Sequence, residues 1–160
     1  MSCNTHHLTP YRYITVEGHQ GDRNNLDPWH GGNDLVKAVA AVNKKTIVVV
    51  HSTGPVVLET ILAQPNVVAV VWAGIPGQES GNALADVLYG DVSPSGKLPY
   101  TIGKSEADYG TTWVANGADD DFPEGLFIDY RHFDKNEIEP RYEFGFGLCT
   151  SPWTLPPGHS

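Results

Sequence analysis

The sequence predicts an α/β protein with a mostly parallel sheet flanked by helices. Two continuous β-branched runs, residues 46–51 and 66–74, have the composition of strands that are covered on both faces. Segments with helical spacing of apolar residues alternate with these runs, at residues 33–43, 55–64 and 77–90. Strands and helices that alternate through short links are typical of a parallel sheet with helices packed on its faces.

The three predicted helices carry start and stop signals. Asn33 or Asp34 caps the first helix, Pro55 occupies a favourable first position of the second, and Gly90 closes the third. In the first two helices the spacing turns apolar side chains inward, namely Leu35, Val36, Val39 and Val42 in one and Val57, Leu58, Ile61 and Leu62 in the other.

The regular alternation of predicted strands and helices ends after Gly90. A turn rich in Pro and Gly leads into a short predicted strand at residues 97–102. Around residues 126–130, Leu126, Ile128 and Tyr130 alternate with Phe127 and Asp129, which predicts a strand or an extended surface arm. The last stretch, residues 141–160, has no periodicity and predicts a frayed tail.

Composition excludes several classes of function. The net charge of −9, with only ten Lys and Arg among 160 residues, argues against a nucleic-acid partner. No run approaches the length of a transmembrane helix, which argues against a membrane partner, and the N-terminus lacks the apolar core of a secretory signal. Cys3 and Cys149 lie near opposite ends, and two unpaired thiols are favoured over one disulfide, although the sequence does not decide this.

The sequence does not contain the common catalytic motifs. Ser80 in "GQESG" stands one place late for a nucleophile elbow and is expected in the first turn of a helix. His51 and Ser52 close a strand, where open sheets bind ligands, but such a histidine more often supports the loop. Scattered histidines and the acidic run at residues 118–121 lack metal-ligand spacing, so neither a metal nor a cofactor is expected.

Carboxylates remain as candidate catalytic groups. Glu17, Asp22 and Asp27 cluster near the start of the chain, beside Arg23 and Asn24. Glycoside hydrolysis uses two carboxyl groups about 5–10 Å apart across the sugar. For each of these side chains, however, a surface charge or a helix cap is the commoner role. The residues alone therefore indicate a globular α/β domain without an assignable site.

Several blocks of sequence resemble fungal β-glucosidases of glycoside hydrolase family 3. The blocks are "VEGHQGDRNNLDPWHGGNDLV", "TIVVVHSTGPV", "VWAGIPGQESGNALADVLYGDVSPSGKLPYTIGKS", "DDFPEGLFIDYRHFD" and "PRYEFGFGL". They follow each other in the family's order over residues 13–148, which the resemblance identifies as part of the C-terminal α/β sandwich domain. Residues 1–12 and the irregular tail at 149–160 do not resemble the family, so a truncated or mis-spliced gene product is one interpretation.

The resemblance also implies what the complete enzyme does. Family members are retaining enzymes that remove terminal β-linked glucose from β-glucosides and cello-oligosaccharides, and many are secreted, although the localisation of this chain is not predicted. Their nucleophile is an aspartate of a preceding barrel domain, which would be the natural packing partner of this domain. Their acid/base is the glutamate of a "GEGY" motif, and alignment on residues 13–18 places Tyr11 at that position.

The resemblance therefore predicts a fragment of a β-glucosidase that is inactive by itself. Glu17 is a poor substitute acid, because it lies six residues beyond the family position, up to about 20 Å along an extended chain. One alternative is a non-catalytic domain that binds a carbohydrate or a partner chain, although Trp29 and Trp72 are expected to pack in or beside the core. Another is a remnant that does not fold stably, because missing strands would leave the sheet uncovered.

Overall fold

Three parallel strands form the sheet at the centre of the fold. The computed structural model of the chain describes residues 25–29, 31–110 and 123–148, together with one strand near the N-terminus. Within these residues the strand order is β1–β2–β3, with β1 at Thr5–Leu8, β2 at Thr46–Val50 and β3 at Val67–Trp72. Both pairings are parallel, with Leu8 opposite Val50 and Val50 opposite Trp72. The predicted class, a parallel sheet flanked by helices, is confirmed.

Four α-helices and one 3₁₀ turn complete the described fold. The helices are α1 (Gly32–Val42), α2 (Glu59–Leu62), α3 (Ser80–Tyr89) and α4 (Tyr130–Lys135), and the 3₁₀ turn is Glu106–Tyr109. Strand β1 falls within residues 1–12, the segment predicted to be foreign to the family. The boundaries predicted at residues 13 and 148 stay predictions, because residues 9–24 and 149–160 lie outside the described part.

Helix α1 starts earlier than predicted and buries a narrower stripe. Gly31 is its N-cap, with φ +71°, and the carbonyl of Gly31 accepts the first helical bond from the amide of Leu35 at 2.9 Å. The prediction of Asn33 or Asp34 as the cap is therefore wrong. Val36 is buried as predicted, but Val42 is 82% exposed and Leu35 41%. One turn after Val36, the small side chain of Ala40 is buried instead.

Helix α2 is shorter than the predicted 55–64 segment. The helix begins only at Glu59, so Pro55 is not its first residue, and the amide of Val57 donates to the carbonyl of Leu26 at 2.9 Å in a contact with another segment. Leu58 and Ile61 are nevertheless fully buried, as predicted. Glu59, the first residue of α2, accepts two hydrogen bonds from the Arg141 guanidinium, at 2.6 and 2.7 Å.

The hydrophobic core lies between β2 and the segments around α1 and α2. Its buried members are Val36, Val48, Val50, Leu58, Ile61 and Ile102. Trp72 packs against this cluster, as predicted, and its indole Nε1–H donates to the hydroxyl of Tyr100 at 2.7 Å. The two rings are half-buried, and the hydrogen bond between them ties β3 to the segment at residues 97–102.

The segment at residues 97–102 is an extended partner of the C-terminal arm and not a regular strand. Ile102 forms one antiparallel bridge with Tyr142, and Leu98 bonds to the chain at Gly145 and Phe146. Pro99 lies between these contacts and has no amide hydrogen to donate, so the ladder is interrupted. Because residues 141–146 are paired in this way, the predicted frayed tail is wrong for this part of it.

The region predicted as a strand or surface arm is a loop followed by a helix. Leu126, Phe127 and Ile128 are all exposed, so their alternation does not sort them onto two faces. The helix α4 then begins at Tyr130. Helix α3 begins at Ser80, three residues after the predicted start at 77, and Gly90, with φ +87°, is its C-cap, so the predictions for Ser80 and Gly90 are confirmed.

Candidate functional site at the carboxyl edge of the sheet

The carboxyl end of β2 leads into a tight turn. Ser52 is buried, and its hydroxyl donates to the carbonyl of Gly54 at 2.7 Å. The hydroxyl is therefore engaged in holding the turn, a structural role. His51 is half-buried beside it. These residues form the edge of the sheet at which open α/β proteins bind ligands.

The loop around Leu26 is held against this edge by hydrogen bonds of its backbone. Leu26 is 4% exposed, and both its backbone carbonyl and its backbone amide form hydrogen bonds. Its carbonyl accepts from the amide of Val57, and its own amide donates to the Glu106 carboxylate at 2.5 Å. Asp27, one of the predicted acidic cluster, is exposed and accepts a bond from the Asn33 side chain at 3.3 Å. It is thus a surface carboxylate that anchors the start of α1.

A cavity of about 380 Å³ lies beside this edge. Most of its lining is apolar or aromatic, and the lining includes Leu26, Pro55, Tyr109, Phe127, Ile128 and Phe133. The rings of Tyr109 and Phe133 meet edge to face, with centroids 5.4 Å apart. Such a wall suits an apolar surface or the face of a sugar ring.

Two of the polar residues that line the cavity are committed to holding the loops. The Asp129 carboxylate accepts the Thr101 amide hydrogen at 2.8 Å and the Thr101 hydroxyl at 3.3 Å. The Nε2–H group of His132 donates to the carbonyl of Asp108 at 3.0 Å, and its Nδ1 accepts from the Asn136 side chain at 3.2 Å. A backbone carbonyl can only accept, so this contact requires a hydrogen on Nε2 of His132.

The third polar residue of the lining, Glu124, makes no side-chain hydrogen bond to any described residue. Its backbone carbonyl accepts from the Phe127 amide at 3.0 Å and so closes a turn. A single carboxylate of this kind can accept hydrogen bonds from hydroxyl groups of a ligand. It does not supply the pair of cooperating carboxyl groups that glycoside hydrolysis needs.

Asp108 stabilises the 3₁₀ turn beneath the cavity. Its carboxylate accepts hydrogen bonds from the amides of Lys104 and Ser105, at 2.7 and 3.0 Å, and from the Ser105 hydroxyl at 2.7 Å. Partial burial acts to raise the pKa of Asp108, but the bonds from Ser105 and Lys104 outweigh it and lower the pKa below its usual value. The ionised form of Asp108 is therefore part of the fold.

The predicted catalytic positions are not among the described residues. Tyr11 and Glu17 both lie outside the described residues, as do Asp22, the acidic run at 118–121, and the two cysteines. Among the residues that the structure describes, no cluster of His, Cys, Asp and Glu could hold a metal ion. None of the described helices is both long and apolar enough to cross a membrane.

Sequence reasoning missed the cavity and its polar residues. Asp129, with φ +48°, and His132 both come from the stretch "GLFIDYRHFD", where the apolar alternation favoured an extended arm. One signal was available, because an aspartate directly before a short helical segment is a common start for a helix. The contacts of Asp129 with Thr101 and of His132 with Asp108 join residues that are distant in sequence, so no local sequence pattern predicts them.

Comparison with known proteins places the chain in a family. Residues 4–149 match the glycosyl hydrolase family 3 C-terminal domain. "Probable beta-glucosidase L" of Aspergillus fumigatus is 73% identical over 136 residues, which cover 85% of this chain and 18% of that protein. "Beta-glucosidase cel3A" of Pyricularia oryzae is 68% identical over 142 residues, covering 89% of this chain and 19% of that protein.

A solved structure of a related enzyme matches the same part of the chain. The beta-D-glucoside glucohydrolase of Trichoderma reesei is 67% identical and superposes with a TM-score of 0.79, covering 88% of this chain and 20% of that one. The chain thus spans about a fifth of the length of the relatives it matches. Over nearly its whole length it corresponds to one domain of theirs, and it belongs to glycoside hydrolase family 3, as a C-terminal domain of the β-glucosidase type.

Proposed function

We propose that this chain is the C-terminal-domain portion of a retaining β-glucosidase and that its 160 residues do not hydrolyse glycosides by themselves. In the complete polypeptide the domain would assist the release of terminal β-D-glucose from β-glucosides and cello-oligosaccharides. The observation that carries the proposal is the length of the match, which covers 85% of this chain but only 18% of the Aspergillus fumigatus β-glucosidase. No cofactor is part of the proposal.

The chemistry of the reaction supports inactivity of the isolated chain. Retaining hydrolysis needs one carboxyl group as the nucleophile and a second as the acid, about 5 Å apart. Of the two carboxylates that line the cavity, Asp129 is committed to hydrogen bonds with Thr101, which leaves Glu124 as the one described carboxylate there that is open to a ligand. The resemblance to family 3 assigns the nucleophile to a preceding barrel domain, which we propose as the packing partner of this one.

Tyr11 provides a second reason for the proposed inactivity. The family resemblance aligns Tyr11 with the acid/base glutamate, and a phenol has an ordinary pKa of about 10. A catalytic acid at neutral pH works best with a pKa near 7, so a phenol is a weak replacement for a carboxylic acid. The only nearby carboxylate suggested by the sequence, Glu17, lies six residues further along.

Two hybrid enzymes test the proposal. In the first, residues 13–148 of this chain replace the matching residues of the Aspergillus fumigatus β-glucosidase L, whose own upstream sequence is kept. In the second, residues 1–148 are exchanged, so Tyr11 takes the acid position. We expect the first hybrid to hydrolyse p-nitrophenyl β-glucoside, and the second to be slower by about a hundredfold or more, the usual contribution of general acid catalysis.

The variant Tyr11→Glu in the second hybrid sharpens the test. Recovery of activity on this substitution supports the assignment of Tyr11 to the acid position, and Tyr13→Glu serves as a neighbouring control. Equal activity of the two hybrids would show that Tyr11 does not occupy that position. An inactive but folded first hybrid would contradict the proposed contribution of the domain to hydrolysis.

The cavity supports a second candidate function, binding of a carbohydrate without turnover. Its aromatic lining and the Glu124 carboxylate are the kinds of group that contact a sugar ring. Isothermal titration of the chain with glucose and cellobiose tests this function. Saturable binding that Phe127→Ala and Glu124→Gln weaken, and that an exposed control such as Val42→Ala does not, would favour it.

A further inference from the structure

Leu26 is held by two segments that are distant from it in sequence. Its amide donates to the Glu106 carboxylate at 2.5 Å, across 80 positions of the chain, and its carbonyl accepts from the Val57 amide at 2.9 Å. The Leu26 side chain is buried, and Glu106 is half-buried. A hydrogen bond from a backbone amide to an ionised carboxylate is about twice as strong as one between neutral groups. Glu106 is therefore a main support of this part of the backbone.

Glu106 itself belongs to a firmly held turn. It is the first residue of the 3₁₀ turn Glu106–Tyr109, whose start is closed by hydrogen bonds of the Asp108 carboxylate with the amide and the hydroxyl of Ser105. The Tyr109 hydroxyl, at the other end of the turn, donates to the carbonyl of Thr101 at 3.2 Å. Contacts at both ends leave the turn little freedom, so the Glu106 carboxylate has a defined position beside Leu26.

The place of Leu26 along the chain connects this contact to the proposed reaction. The family resemblance puts the acid/base at residue 11, between β1 and Leu26. Of the described residues that follow β1, Leu26 is the first whose backbone forms hydrogen bonds with a distant part of the chain. Releasing one end of a loop lengthens the loop and widens the range of positions that its residues sample. A displacement of about 1 Å can lower the rate of an enzyme about a hundredfold.

From these observations, and resting on the proposed function, we infer that Glu106 is a positioning residue for the general acid of the complete enzyme. Glu106 is not among the residues that line the described cavity, so it acts through Leu26 and not by contact with the substrate. The acid must stay within hydrogen-bond reach of the departing oxygen. Loss of Glu106 should therefore weaken protonation of the leaving group more than it weakens binding of the sugar.

Two substrates that differ in their need for a proton test the inference. The protein is the first hybrid enzyme, which contains residues 13–148 within the Aspergillus fumigatus β-glucosidase L. Phenyl β-glucoside has a poor leaving group that must be protonated, whereas dinitrophenyl β-glucoside releases a stable anion without a proton. Glu106→Ala should lower kcat/KM for the phenyl substrate at least about tenfold, a part of the hundredfold or more that general acid catalysis contributes. The value for the dinitrophenyl substrate should change less than about twofold, because that step does not use the acid.

Two further variants separate positioning from a loss of stability. Glu106→Gln keeps an oxygen that can accept from the Leu26 amide, so it should restore most of the activity on phenyl β-glucoside. Glu139→Gln removes an exposed carboxylate that pairs with Lys104, and it should leave both substrates unchanged. If Glu106→Ala lowers kcat/KM for both substrates by the same factor, Glu106 has a merely structural role and the inference is overturned.

Hydrogen exchange measured by mass spectrometry gives a reading that does not depend on activity. In the hybrid, Glu106→Ala should make the peptide that contains Leu26 exchange at least about tenfold faster and leave the peptides of β2 unchanged. Unchanged exchange at Leu26 would overturn the inference, because Glu106 would then not hold that residue.

The outcomes also separate this inference from the proposed function. A folded hybrid that hydrolyses neither substrate contradicts the proposed function, and the positioning role falls with it. An active hybrid in which Glu106→Ala does not discriminate between the two substrates overturns the positioning role alone and leaves the proposed function standing.

Discussion

Asp129 offers the sharpest test of how the loops around the cavity are held. Its backbone has φ +48° and ψ −133°, a region that residues other than glycine rarely adopt and that costs about 1–3 kcal/mol. The contacts of its carboxylate with the amide and hydroxyl of Thr101, which is 1% exposed, offset this cost. Replacing Asp129 therefore changes a strained backbone and two buried hydrogen bonds together.

The structure predicts an unusual order of destabilisation. Asp129→Ala leaves two buried donors of Thr101 unpaired and keeps the strain, which should lower the free energy of unfolding by about 3 kcal/mol. Asp129→Gly loses the same bonds but relieves the strain, and after its extra chain entropy the loss should be about 2 kcal/mol. Asp129→Asn keeps one neutral acceptor and tolerates positive φ, so its loss should be about 1 kcal/mol.

Urea unfolding followed by tryptophan fluorescence measures these losses, since Trp72 reports on the core. The urea midpoints should fall in the order Asn, Gly, Ala, with the dependence on denaturant unchanged. Asp134→Ala, at an exposed position of α4, is the control and should stay within about 0.5 kcal/mol of the parent. If the alanine variant were as stable as the glycine variant or more so, strain at Asp129 would not contribute and the reasoning would fail.

Three further predictions concern the core, a close backbone contact and pH. Ile61→Ala removes three carbons from a side chain with 0% exposure, so calorimetry should show a loss of about 3–4 kcal/mol, against less than about 0.5 for Val42→Ala at 82% exposure. Gly110→Ala places a methyl group against the His132 ring at φ +69° and should cost about 2–3 kcal/mol in urea unfolding; a neutral result would contradict the packing. Because the pKa of Asp108 is lowered in the folded state, its carboxylate adds to the free energy of unfolding above about pH 4, and this contribution is lost as pH falls through the folded pKa. The free energy of unfolding of Asp108→Asn, measured against pH, should therefore fall less steeply in that range than that of the parent. Parallel pH curves for the two proteins would refute this.

Much of the fold follows from local sequence. The β-branched runs predict the strands β2 and β3, and their alternation with helical segments leads directly to a parallel sheet. Strand β2 is buried as predicted, but β3 lies at one end of the described sheet and Val68 is 56% exposed, so the prediction of cover on both faces is wrong for β3. Helix α3 could be placed because Gly90 is the residue best suited to the left-handed conformation that closes it. These elements depend on residues that are close in sequence.

The errors arise where distant residues decide the conformation. The spacing predicts Val57 in a helix, but α2 begins at Glu59, and the amide of Val57 donates to the carbonyl of Leu26 from another part of the chain. The alternation at residues 126–130 predicts a strand or an extended surface arm, but the bond from Thr101 to Asp129 holds the chain in a turn there, and α4 begins at the next residue. In α1 the structure buries Val36 and Ala40 and exposes the predicted Leu35 and Val42, because the position of the sheet decides which side of an amphipathic helix is covered.

The candidate site was less predictable than the fold. The cavity is assembled from four separate stretches of the chain, and its polar lining is defined by contacts across them. Alignment with the family could assign Tyr11 to the acid position, because that assignment needs only order along the chain. Whether Tyr11 or Glu17 reaches the edge of the sheet depends on residues outside the described part, so both assignments stay predictions.

The central claim is that this domain does not hydrolyse glycosides by itself. Hydrolysis of p-nitrophenyl β-glucoside by the purified 160-residue chain, beside its Glu17→Gln variant, tests this claim most directly. We predict no release of p-nitrophenol above the variant, from a chain whose unfolding is cooperative. Release that Glu17→Gln abolishes would mean that the chain contains a working site of its own, and the claim would be wrong.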